Sequence, residues 1–288
     1  MTAATPVHAA RGAGIEPGTA GRVRRAGLGG ALRSELTKIR SVRSTYWTLI
    51  AMVVVVVGLG ALFSLGHAHQ FGQAPAGIQA QLRAHAVSQA TMFSLFGLIL
   101  GQLIIVVLGA LTVTSEYSTG MIRTSLAVQP RRGTVFAAKA MVFSGVALAA
   151  GLVTSFCSFF LGQAILSGEH INTTLSHPGV LRAVIGGGLF LAVCGVMSFG
   201  IGALLRHSAG AISASIGLLF VAFVLAQFLP PSWAAHVDKW IPFNAGAAIW
   251  ENASAPHMLS PWTGFAVFCC YAAVLVAAGL YRFAERDA

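Results

Sequence analysis

The sequence predicts an all-α integral membrane protein: six transmembrane helices preceded by an N-terminal interfacial (elbow) helix, with both termini cytoplasmic. Three observations carry that prediction. Only 9% of the 288 residues are charged and 56% are hydrophobic, for a mean hydropathy of +0.77. A soluble chain carries about 25% charged residues, so this one has too little charge to cover a water-facing surface. Six apolar runs each approach the roughly 20 residues that a bilayer core demands of a helix. Threaded as spans, they leave all but three of the 18 Lys and Arg on one side; the exceptions are Arg83, Arg182 and Lys239. Cations held back on the cytoplasmic side set the orientation.

Residues 1–27, rich in Ala, Gly and Arg, lack the apolar core of a signal peptide and read as a disordered basic tail. The transmembrane domain occupies 28–288, without an internal repeat. Its first element is a helix over about 28–43. Leu28, Leu32, Leu36, Ile39 and Val42 form one apolar stripe, and Arg33, Glu35, Lys38, Arg40 and Arg43 take the remaining faces. A basic amphipathic helix ahead of a span belongs in the interface, its cations toward anionic headgroups. The alternative is an ordinary solvated helix carrying topogenic charge. Tyr46 and Trp47 follow at headgroup level.

The spans fall at about 45–65, 90–114, 134–166, 181–205, 209–229 and 261–283. Lys139 lies a turn inside the third and is expected to snorkel to the surface. Among the outer connections, 67–90 contains a helical extension of the second span at 77–88. The connection at 230–260 is proline-rich, and its WAAHVDKW and FNAGAAIW segments suit short helices at the interface. Its tryptophans read as membrane anchors or, more sharply, as part of a lid.

Several chemistries are excluded or disfavoured. No Gly-x-x-x-x-Gly-Lys-Ser/Thr loop occurs, so the chain has no Walker-type cradle for ATP. No span holds a pair of carboxylates of the kind a proton-coupled carrier uses. The net charge of +10 lies at the ends of apolar runs instead of on a base-reading face, which argues against nucleic acid. The four cysteines sit in apolar runs as small hydrophobes. His67, His69 and His85 share one connection but read as solvated, not as a metal site. Gln102, Ser213 and Gln227 are either interhelical hydrogen-bond partners or the lining of a substrate path.

The 115–139 stretch, SEYSTGMIRTSLAVQPRRGTVFAAK, is more specific. Gly120 permits a turn, Met121 to Leu126 form about one and a half helical turns, and Pro130 stops them. A topogenic loop needs Arg123, Arg131 and Arg132 but has no use for Met121, Ile122 and Leu126 on a rigid turn. A knob for a partner's groove needs both.

Taken with ELTKIRSVRSTYW ahead of the first span, the run TSEYSTGMIRTSLAVQPRRGTVFAAK resembles the membrane subunit of bacterial ABC-2 type ABC transporters. The resemblance covers about residues 28–286. It implies a permease without catalytic activity, paired with a second permease subunit and driven by a separate ATPase that alone holds ATP and Mg. By position it makes Glu116, Tyr117, Gly120, Met121, Ile122, Arg123 and Leu126 the docking element, and Leu32, Leu36 and Lys38 part of the elbow helix. The second and fifth spans would line the path. Export of a hydrophobic or amphipathic compound from a bacterial inner membrane is the function implied. The competing readings are a membrane anchor recruiting a cytoplasmic partner, or a stand-alone channel or ion-coupled carrier.

Overall fold

The computed structural model describes residues 28–121, 132–251 and 258–285, and every regular element among them is helical. In order these are α1 (Leu28–Ser41), α2 (Arg43–Gln73), α3 (Ala76–Ala84), α4 (Ala86–Leu95), α5 (Leu98–Ser118), α6 (Arg132–Leu166) and α7 (Val180–Leu205). Then come α8 (Ser208–Ile216), a π-helical turn (Gly217–Val221), α9 (Ala222–Ala226), α10 (Pro231–Val237), α11 (Pro242–Ala247) and α12 (Pro261–Glu285). Six stretches are long and apolar enough to cross a membrane: α2, α4 with α5, α6, α7, α8 through α9, and α12.

The fourth span, α7, is the centre of the bundle, packing against α5, α6 and α12. Small residues permit this in a membrane, where close van der Waals packing replaces hydrophobic drive. A Cβ on Gly188 would stand 2.8 Å from the Leu152 backbone of α6. Buried hydroxyls and amides then join helices: Ser155 donates to the Val184 carbonyl (2.6 Å), Ser198 to that of Val106 (2.6 Å) and Ser158 to that of Ser94 (2.6 Å). Gln163 spans α6, α4 and the following turn, donating to Ser94 Oγ (2.9 Å) and accepting from the Thr173 N–H (2.6 Å).

Four expectations need correction. The first span does not stop near residue 65 but continues to Gln73, so His67 and His69 are helical and not in a connection. The 77–88 segment is no straight extension of the second span. The helix breaks at His85 (φ −112°, ψ 12°) and again at Phe96–Gly97. At the second break α2 comes so close that a Cβ on Gly97 would sit 2.7 Å from Val56 Cα. The fifth span is interrupted by the π turn. Finally, Trp233, Trp240 and Trp262 are exposed as anchors should be, but Trp250 is buried, with Phe190 6.3 Å away between ring centroids.

Replacing Gly188 with Leu should separate α6 from α7 and lower the melting temperature in nanodiscs, by overpacking worth about 1–3 kcal/mol. Gly145 has nothing within 4 Å, so Gly145→Leu should leave the melting temperature unchanged. Equal melting of the two variants would contradict this packing.

Candidate functional site

At the end of the bundle that carries α1, helix α1 lies against α6. The face it turns inward is Ala31 and Glu35, both buried, while Leu28, Leu36 and Val42 are exposed and Leu32 is half-buried. Part of the apolar stripe, Leu28, Leu36 and Val42, therefore points away from the bundle, Leu32 and Ile39 lie at its edge, and Glu35 points into it. What receives that face is a cluster of four charges. Lys139 Nζ lies 2.6 Å from Glu35 Oε2 and 2.7 Å from Glu116 Oε1. Lys38 Nζ lies 2.8 Å from Glu35 Oε1 and 3.1 Å from Glu116 Oε1. Among the described residues, two ammonium and two carboxylate groups from α1, α5 and α6 thus pair in near-complete burial. Only Lys38, with 28% of its side chain exposed, reaches solvent.

Burial opposes ionisation of Glu35, but the charge and hydrogen bond of Lys139, backed by Lys38, outweigh it and hold the carboxyl below the ordinary carboxylate range. Burial likewise works against the Lys38 ammonium, yet its bonds and proximity to Glu35 and Glu116 hold it above its ordinary value. Lys139 does not snorkel. It is sealed beside α1 as the hub of the cluster.

The proposed docking residues divide across this site. Glu116 is turned inward to the cluster. Tyr117 is half-buried, with the Arg206 guanidinium 4.9 Å above its ring and Phe283 edge-on at 6.5 Å. Arg206, the left-handed cap of α7 (φ 56°), also donates to the Arg282 carbonyl at 2.8 Å. Gly120 leaves α5 with φ +71°, and Met121 beyond it is exposed. Ile122, Arg123 and Leu126 lie outside the described residues.

At the opposite end a cavity of about 750 Å³ opens between the second and fifth spans. Met92, Phe96, Phe220 and Phe223 wall it, and Gln89, Trp250 and Glu251 add polar groups. None of Gln102, Ser213 and Gln227 lines it. Gln102 is buried and donates to its own helix at Ile99 (3.0 Å), while Ser213 and Gln227 are exposed. The histidines do not converge either. His67 stacks on Phe93 (4.4 Å), His69 pairs with Gln73 (2.9 Å), and His85 borders the cavity. Among the described residues no three metal-binding side chains cluster.

Sequence reasoning had Lys38, Glu116 and Lys139 in three unrelated roles. The available signal was the acid Glu35 within a basic helix, together with a lysine placed a turn inside a span. Six apolar spans built on this plan define a polytopic α-helical membrane protein. The family model for the ABC-2 family transporter protein matches residues 31–237, from α1 through α10, and the chain belongs to that family. It is thus a membrane component of a transporter, and membership implies an ABC ATPase as partner. No curated protein matches the chain.

Lys139→Met leaves two buried carboxylates facing one cation, and removing one member of a buried pair costs about 3–5 kcal/mol. We expect a large fall in melting temperature, partly recovered by adding Glu116→Gln, which restores one acid to one base. Strictly additive losses in the double variant would contradict the cluster. Because the folded carboxyl of Glu35 is depressed, its contribution is complete above the ordinary carboxylate range and disappears as pH falls through the folded value. That of Lys38 is complete below the ordinary lysine value and is lost only as pH rises past a still higher one. Thermal unfolding of the wild type should therefore be insensitive to this cluster around neutrality and steepen on acidification. Glu35→Gln should flatten the acid limb.

Proposed function

We propose that the chain is the permease subunit of an ABC exporter in a bacterial inner membrane, with its α1 end cytoplasmic. It carries no catalytic activity of its own. A separate ATPase docks on the 115–133 segment, two permease subunits pair, and closure of the ATPase reshapes the path between the second and fifth spans. The cargo is a hydrophobic or amphipathic compound.

The observation that carries this reading is the buried charge cluster at the root of that segment. It binds the end of α5, the start of α6 and the elbow helix into one neutral node. A force applied to the segment between α5 and α6 reaches both spans and α1 together. The excess of Lys and Arg at the same end supports a cytoplasmic position for it. Family membership supports the ATPase partner. The cavity at the far end supports release of cargo on the side away from the ATPase.

The test is co-purification and transport. Arg123→Glu and Ile122→Asp should each abolish co-purification with the ATPase and ATP-dependent movement of cargo in proteoliposomes, while the variant permease stays folded. Retention of both properties would sink the docking role. Cargo movement without any ATPase would favour a stand-alone carrier, and ATPase binding without cargo movement an anchor.

A further inference from the structure

The far-end cavity is large enough for a drug-sized molecule, and two of the polar groups on its wall lack a partner among the described residues. Trp250 is only 3% exposed, and its Nε1–H has no acceptor among the described residues. The oxygen Gln89 Oε1, on a residue of the same wall, is buried with no donor among the described residues. An orphaned buried donor or acceptor costs free energy that a bound partner would return. The third group is Glu251. It forms no ion pair with the described residues, and burial pushes its carboxyl up. A carboxylate in an apolar enclosure seeks a cation.

These groups are held in place. Arg182, in the first turn of α7, donates to the carbonyls of Ile249 (2.9 Å) and Glu251 (3.2 Å), fixing the backbone on either side of Trp250. Phe190 backs the indole, and Phe243 brings its ring to 4.3 Å from that of Phe223. On the opposite wall the π turn at Gly217–Val221 contributes Phe220. Such turns insert a residue and re-aim the side chains around them.

We propose that this cavity is a binding site for amphipathic organic cations, with the cationic centre against Glu251 and Gln89 Oε1. The apolar body lies among Phe96, Phe220 and Phe223, and the Trp250 indole donates to an oxygen acceptor on the ligand. The proposal rests on the exporter reading for its role in transport, but binding itself requires no ATPase. Electrostatics supplies the selection, since the one acid on the described wall favours a cation over an anion of the same shape.

Rhodamine 6G tests it, being a lipophilic cation with an ester carbonyl; fluorescein offers a similar ring system with negative charge. Fluorescence anisotropy with the purified chain in nanodiscs, empty discs subtracted, should give saturable binding of rhodamine 6G and at least tenfold weaker binding of fluorescein. Glu251→Gln should weaken rhodamine 6G at least tenfold and narrow the gap between the dyes. Phe223→Ala should weaken both. Should Glu251→Gln not fold, Gln89→Leu replaces it, with several-fold weaker rhodamine 6G binding expected. Equal binding of the two dyes, or unchanged binding of the cation by whichever variant folds, overturns the proposal. Because the ATPase is absent, neither result bears on whether one docks.

Discussion

Four charges removed from water must balance, and that requirement organises the α1 end of this molecule. Bringing an ammonium or carboxylate out of water costs several kcal/mol per ion, returned only by close opposite charge and full hydrogen bonding. Lys139 can remain buried at the start of α6 only because Glu116 of α5 and Glu35 of α1 reach it simultaneously. That condition fixes the rotation of α1 about its axis, with Glu35 inward and Leu28 and Leu36 outward. It also fixes the register of α5 against α6. Helix α1 is therefore an integral part of the bundle, joined to it by charge on one face, with Leu28 and Leu36 exposed on another.

The rest of the bundle is held by different means. Around α7, glycines and short polar side chains bring backbones close, and hydroxyls donate to carbonyls of neighbouring helices. The fifth span departs from this pattern. It has less of its surface buried than α7, is interrupted by a π turn, and shares the cavity with the second span. Dense packing around α7 and the void between the second and fifth spans give the molecule a tightly packed part and a part with open space.

Much of the fold was legible because a bilayer imposes length on its helices. Runs of Val, Leu, Ala and Phe near 20 residues, and cations kept to one side, place six spans with little ambiguity. The breaks were hidden because no local pattern marks them; what stands out at Gly97 is tertiary, the approach of α2 that leaves no room for a Cβ. The charge cluster was hidden by distance along the chain. Glu35 and Lys139 are 104 positions apart, and each alone reads as an ordinary interfacial residue. Trp250 was misjudged because a tryptophan near a membrane surface is usually an anchor, while here Phe190 and the carbonyls held by Arg182 draw it inside. The polar residues that border the cavity, Gln89 and Glu251, lie at span edges where sequence alone suggests solvent.

Helix α7 is gripped by an arginine at either end. Arg182 in its first turn holds the backbone that roofs the cavity, and Arg206 at its last binds the tail of α12 and caps the ring of Tyr117. Its 26 residues make a rod of about 39 Å. Tyr117 stands next to Glu116, beside the charge cluster. A small axial thrust or tilt delivered there has a stiff member to travel along. The backbone that carries Trp250 and Glu251 is attached to its other end, so α7 joins the charge cluster's end of the bundle to the cavity's end as one stiff member.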